Sequence, residues 1–191
     1  MRLLFFLVCV LSIQNCRAEY PNRGISEQFL PQKIAAYMER YSDFSGAVLV
    51  GKKGEIIFSK GYGLANDELK VLNSPQTRFR IASLTKLFIA VAMMQLQERG
   101  LLNVQDTLSK YVPDYPNGDR ITIHHLLTHT SGIPNYYKHF ADVRFSANVK
   151  EMVAAFKKWS IEFEPGARFC YSNSGYAILA YINRKSVWQE I

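Results

Sequence analysis

Ser83-Leu84-Thr85-Lys86 sets a hydroxyl three residues before an amine at the opening of an apolar run, and on a helix that spacing puts both groups on one face. A serine hydroxyl attacks carbonyls poorly until something takes its proton. A lysine does so when desolvation or nearby positive charge keeps it neutral. The pair is therefore a candidate nucleophile with a candidate base. Taken alone, the tetrapeptide also fits a helix start in which Ser83 caps and Lys86 is solvated. A second cluster, Tyr171-Ser172-Asn173, combines a phenol able to move a proton with an amide able to bind a substrate carbonyl. Its plain alternative is a polar loop with Tyr171 packed on a core.

The elements that must hold these groups follow from patterning. Leu87-Phe88-Ile89-Ala90-Val91-Ala92-Met93-Met94 makes the segment after Ser83 apolar nearly all round, which predicts a helix buried in a core. The positive end of its dipole would favour an alkoxide at Ser83 and disfavour charged Lys86. Gln95 to Arg99 turns polar, and Gly100 fits a helix stop. Glu164-Pro165-Gly166 marks a turn before Tyr171, and Tyr176 to Ile191 reads as one helix. Upstream, Pro31 to Tyr41 predicts a helix with Ile34, Ala35, Met38 and Tyr41 on one face. Ser45–Gly51 and Glu55–Gly61 predict a hairpin across Lys52-Lys53-Gly54, with glycine at the left-handed position. Leu101–Asp106 and Tyr111–Pro116 read as connecting loops. Thr122 is placed to cap a helix from Ile123 to Thr128, and Val149–Trp159 predicts another. No repeat, low-complexity tract or interdomain linker interrupts the chain.

Three segments in this order carry a resemblance: Phe79-Arg80-Ile81-Ala82-Ser83-Leu84-Thr85-Lys86, Leu126-Leu127-Thr128-His129-Thr130-Ser131-Gly132-Ile133-Pro134 and Tyr171-Ser172-Asn173-Ser174-Gly175-Tyr176. From about Phe44 to Ile182 the chain resembles serine beta-lactamase-like proteins related to class C beta-lactamases, whose relatives include D-alanyl-D-alanine carboxypeptidases, D-aminopeptidases and some esterases. Sister families pair Ser-x-x-Lys with Ser-Asp-Asn and Lys-Thr-Gly, and Tyr-x-Asn is the variant here. The resemblance implies an α+β, beta-lactamase/transpeptidase-like fold. It implies Ser83 as acylated nucleophile, Lys86 and Tyr171 as the proton-transfer pair with the acylation base open between them, and Asn173 as a contact to the substrate amide. The Ser83 backbone N–H would be one oxyanion donor and the His129 segment a structural wall. The second donor belongs in the family to a strand bearing Lys-Thr-Gly or His-x-Gly, and neither motif occurs in this sequence. The family's sheet combines two N-terminal and three C-terminal strands. The expectation is therefore a truncated member with a helical lobe and an incomplete antiparallel sheet, the N-terminal hairpin only. Ala47–Val50 would then be an open edge, and self-association or a complementing chain would be expected.

Met1-Arg2 followed by Leu3 to Leu11 has the charge and short apolar run of a signal peptide, cleaved after Cys16-Arg17-Ala18. This predicts residues 1–18 as a signal and 19–191 as one beta-lactamase-related domain, secreted or periplasmic, with no membrane-spanning segment after cleavage. A lipid anchor at Cys16 fits less well, because Ile13-Gln14-Asn15 lacks the small residues expected before it. Cleavage there removes two arginines and no acid from a chain of net charge +7, leaving a modest positive balance. Lys52-Lys53 and Lys157-Lys158 are short, scattered pairs without a nucleic-acid motif, so no nucleic-acid partner is expected. Cys9 and Cys16 fall in the signal, which leaves Cys170 alone as a small packing residue. His124, His125 and His129 lack an accompanying carboxylate or cysteine at ligand spacing, so neither metal nor organic cofactor is expected. The reading is a serine hydrolase acting on a beta-lactam, a D-alanyl peptide or an ester, with a small-molecule or peptidoglycan-derived substrate. The alternative is a catalytically impaired remnant that binds the cell wall or a partner.

Overall fold

The computed structural model describes residues 29–40, 43–139 and 148–188, the last three of these by backbone alone. The signal-peptide expectation, the Cys16 alternative and Tyr41 fall outside the described residues. The chain divides into two compact units, one ending at Arg80 and one beginning at Ile81.

In the first unit, α1 (Leu30–Glu39) starts with proline in its first turn, where the missing N–H leaves no helical bond unmade. Strands β1 (Gly46–Lys52) and β2 (Glu55–Tyr62) pair antiparallel from Gly46 opposite Tyr62 to Lys52 opposite Glu55, with a bulge at Val50/Gly51. The turn is tighter than the sequence predicts. Lys53 joins Gly54 in the left-handed region, at φ 49° and 84°, so two residues of type I′ geometry close the hairpin and match the right-handed strand twist. A second small pair, β3 (Leu64–Asn66) with β4 (Val71–Leu72), is too short to leave a periodic signal in the sequence. Buried Asn73 secures this unit by donating from Nδ2 to Ser45 Oγ at 3.0 Å and to the Tyr62 carbonyl at 2.8 Å. Each described sheet has two strands, and Leu49 of β1 is exposed.

The second unit is helical. A 3-10 turn (Ala82–Leu84) leads into α2 (Thr85–Glu98), followed by α3 (Leu108–Tyr111), α4 (Ile123–Leu127), a 3-10 turn (Tyr136–His139), α5 (Val149–Phe156) and α6 (Asn173–Trp188). Leu108, Ile121, Ile123, Leu126, Phe156, Ile178, Leu179 and Ile182 are fully buried at its centre. The two segments predicted as connecting loops are packed rather than superficial, because Leu102, Val112 and Tyr115 join that core. Gly100, at φ 71°, ends α2 as predicted: the Leu101 N–H reaches the Leu96 carbonyl and the Gly100 N–H the Gln97 carbonyl, closing a Schellman motif. Gly132, at φ 76°, also answers a local demand, since a Cβ there would lie 2.2 Å from the Phe163 carbonyl oxygen.

One expectation for α2 fails. Met93 and Leu96 are buried and Ile89 and Ala90 pack on the core, but Leu87, Phe88 and Val91 are 63%, 67% and 58% exposed. A helix apolar all round needs partners all round. Here the core covers one face, and the other remains an exposed apolar surface.

Thr122 and His125 form a reciprocal cap on α4: Thr122 Oγ1 accepts from the His125 N–H at 3.1 Å, and His125 Nδ1 accepts from the Thr122 N–H at 3.2 Å. Burial, with the neighbouring His124 charge, holds the His125 imidazole below its ordinary range. The unfolded chain therefore takes up this proton first on acidification, so His125 contributes its full stability above about pH 6.5 and loses it as the pH falls. Glutamine at the same capping position keeps the bond without the titration. His125→Gln should lose less stability than the unsubstituted chain between about pH 7.5 and 5.5, read from urea midpoints. Equal losses would remove His125 from the acid response.

Candidate active site

The helical unit positions the chemistry through two helix starts. On α2, Lys86 continues the face that carries Ile89 and Met93 into the core, so its side chain leaves the helix toward α6 rather than toward solvent. Ser83 precedes it in the 3-10 turn, directly after Ala82, which is held at φ 45°. A left-handed alanine costs roughly 1–2 kcal/mol, a strain maintained by the core packing of Met93 and Leu96 on the helix that follows it. On α6, Ile178, Leu179 and Ile182 anchor the helix in the core and so fix Asn173, its first residue, with Tyr171 two residues before.

All four residues predicted from sequence converge. Ser83 Oγ lies 2.7 Å from Tyr171 Oη, and Lys86 Nζ donates to Ser83 Oγ at 3.2 Å. Lys86 Nζ also donates to Asn173 Oδ1 at 2.6 Å, and it sits 4.8 Å from the centre of the Tyr171 ring. Ser83 and Tyr171 are open to solvent, while Lys86 and Asn173 are half-buried. A hydroxyl within hydrogen-bond reach of both a tyrosine oxygen and a lysine nitrogen is an arrangement in which either of these groups, when unprotonated, can take the proton off Ser83 as its oxygen attacks.

The wall behind the site is built by residues 126–136. His129, at φ 59°, accepts the Ser172 N–H on Nδ1 at 3.2 Å, while its own carbonyl accepts the Cys170 N–H at 2.8 Å. Its ring lies 4.5 Å from that of Tyr171 and 5.0 Å from that of Tyr176. Tyr176 Oη donates to the Leu127 carbonyl at 3.0 Å. The three histidines considered as a cluster have separate engagements: His125 in the cap of α4, His129 in this wall, and His124 edge-on to His125. Among the described residues no group of three or more histidine, cysteine, aspartate or glutamate side chains could hold a metal ion. No described helix is long and apolar enough to cross a membrane.

The Beta-lactamase family model matches residues 30–186. The chain belongs to that family. It is 37% identical over 151 residues to the putative penicillin-binding protein PbpX of Bacillus subtilis (strain 168), a match covering 79% of this chain and 37% of PbpX. The chain thus spans little more than a third of that curated relative. A penicillin binding protein from Bacillus halodurans superposes with a TM-score of 0.71 at 35% identity, covering 80% of this chain and 48% of that one. A class C beta-lactamase does so with a TM-score of 0.67 at 25% identity, covering 82% and 43%. The fold is α+β and beta-lactamase/transpeptidase-like, that of a family of serine hydrolases.

Two contributors escape sequence reading. Asn135 Oδ1 accepts from Asn173 Nδ2 at 3.3 Å, which turns the Asn173 oxygen toward Lys86. Ser174 is fully buried: its Oγ donates to the Pro134 carbonyl at 2.7 Å and accepts the Tyr136 N–H at 2.9 Å, tying the start of α6 to the wall. Asn135 had a signal in its place directly after the Ile133-Pro134 motif, whereas Ser174 reads in sequence only as one of a run of small residues. Ser174→Ala removes the bond at 2.7 Å to the buried Pro134 carbonyl, which keeps the longer one from Ser172 Oγ at 3.5 Å, and the bond from the half-buried Tyr136 N–H. The loss should lower unfolding free energy by about 1–2 kcal/mol. A urea midpoint unchanged from that of the parent chain would show that neither group depends on Ser174.

Proposed function

We propose that this chain is a serine acyl-transfer hydrolase of the penicillin-binding type, cleaving an amide or ester bond through an acyl-enzyme at Ser83. One observation carries the reading: Ser83 Oγ lies within hydrogen-bond reach of both Tyr171 Oη and Lys86 Nζ. In this reading Oγ attacks the substrate carbonyl as its proton passes to the member of the Lys86–Tyr171 pair that is unprotonated, the amine of Lys86 or the phenolate of Tyr171. The same pair returns a proton to the leaving group, and water then releases the acyl group. Lys86, anchored on Asn173 Oδ1, places positive charge beside the developing oxyanion chemistry. Asn173 Nδ2 carries two N–H groups. With one engaged by Asn135, the second is the candidate donor to a substrate amide carbonyl. The Ser83 backbone N–H serves as an oxyanion donor.

The substrate classes that fit are a beta-lactam, a D-alanyl peptide derived from peptidoglycan, and a small ester. Relatives described as penicillin-binding proteins support the first. The Met1–Ala18 pattern favours action outside the cytoplasm, with residues 19–191 as the working domain. A second reading, a catalytically impaired chain that acts by binding another protein chain, is favoured by the exposed face of Leu87, Phe88 and Val91.

Labelling discriminates between them. Incubation with a fluorescent penicillin or a fluorophosphonate, followed by intact mass, should show one adduct that Ser83→Ala abolishes without loss of far-UV helicity. Lys86→Ala and Tyr171→Phe should each slow labelling by about 10²–10⁴-fold. Asn173→Ala should impair turnover of an amide substrate more than reaction with the phosphonate. A folded chain that takes no label favours the binding reading, and labelling that persists without Ser83 excludes the mechanism.

A further inference from the structure

The strongest unassigned group lies behind the site, at His129. Five observations converge there. The His129 backbone is left-handed, at φ 59°. Its carbonyl holds the Cys170 N–H at 2.8 Å and its Nδ1 holds the Ser172 N–H at 3.2 Å, so one residue brackets Tyr171 from both sides along the chain. Its ring faces Tyr171 at 4.5 Å and Tyr176 at 5.0 Å, with Phe169 edge-on at 5.8 Å. Ser172 is buried, so its N–H has no ready exchange with water. Lys86 is close enough for its charge to act on the imidazole.

We propose that His129 is a positioning residue for Tyr171 and Asn173, holding the segment between Cys170 and Asn173 on its Nδ1 atom and ring face, and that protonation of Nδ1 releases that segment. An imidazole nitrogen that accepts an N–H must be unprotonated, which places the ring proton of the working form on Nε2. Adding a proton to Nδ1 turns the acceptor into a donor, aims it at the Ser172 N–H, and sets a second positive charge near Lys86. The bond then breaks, and Tyr171 Oη, 2.7 Å from Ser83 Oγ, loses the support that fixes it. The titratable groups facing the ring are Lys86 from α2, Tyr171 from the held segment and Tyr176 from α6. Burial first, and the Lys86 charge second, keep His129 neutral to a lower pH than an ordinary histidine. The site is thus built to work at neutral pH and to loosen on acidification below the usual histidine range.

This inference rests on the Ser83 reading for its kinetic test and stands apart from it for its structural one. Asparagine is the discriminating substitution: its Oδ1 reproduces the Nδ1 acceptor, it tolerates a left-handed backbone, and it does not titrate. The kinetic arm measures the second-order rate of fluorophosphonate labelling from about pH 8 to pH 5. His129→Ala should slow labelling about 10²-fold at pH 8 without changing which residue is labelled. His129→Asn should stay within about threefold of the parent rate at pH 8 and lose the acid fall attributable to the imidazole. Full activity in His129→Ala, or an unaltered acid limb in His129→Asn, would overturn the proposal. The structural arm follows the full chain by NMR. The Ser172 amide and the Tyr171 ring signals should shift with the same midpoint as the His129 imidazole, and the neutral ring should carry its proton on Nε2. This arm decides the matter even if the parent chain takes no label, since a Ser172 amide indifferent to His129 protonation also overturns the proposal.

Discussion

Lys86 has to leave one helix and meet the first residue of another, and the helical unit is organised around making that meeting hold. Its Nζ reaches Asn173 Oδ1 at 2.6 Å, a charge-assisted bond between α2 and α6. Neither helix can rotate without breaking it. Met93 and Leu96 hold one partner and Ile178, Leu179 and Ile182 the other, so apolar packing far from Ser83 sets the orientation of polar groups beside it. Asn135 then fixes which way the Asn173 amide points, and Ser174 fixes where α6 begins. The polar site is thus the tip of an apolar arrangement, and its precision is inherited from the core.

Strain and exposure are distributed unevenly around this arrangement. Ala82 and His129, both non-glycine residues in the left-handed region, flank the site from its two sides. Such conformations persist where the surrounding structure over-determines them, and here α2 and the segment 170–172 do so. The face of α2 that carries Leu87, Phe88 and Val91 shows the converse, an apolar surface with no partner among the described residues. One helix therefore supplies both a tightly specified end and a loosely specified flank.

The sequence disclosed which polar side chains come together better than it disclosed the packing around them. Ser83, Lys86, Tyr171 and Asn173 were readable because each belongs to a motif with a fixed spacing, and Gly100, Thr122 and the α1 proline because end signals act within one turn. The burial of α2 was overestimated, since hydropathy records which surfaces prefer a partner and not whether one is present. The loops that contain Leu102, Val112 and Tyr115 read as connections because irregular backbone has no period, although their side chains complete the core. Ser174 was silent, and Asn135 was marked only by its place after Ile133-Pro134, because their roles arise from contacts 38 to 40 residues away along the chain.

The bond between Ser83 and Tyr171 joins residues 88 positions apart, and the bond from Lys86 to Asn173 spans 87. On a ribosome, the first halves of these pairs emerge long before the second halves. Until α6 docks, Ser83 Oγ lacks its bond to Tyr171 Oη and Lys86 Nζ lacks its bond to Asn173 Oδ1. The four side chains can therefore come together only late, after both helix starts exist, so the polar cluster forms with the last long-range packing of the unit and not before it.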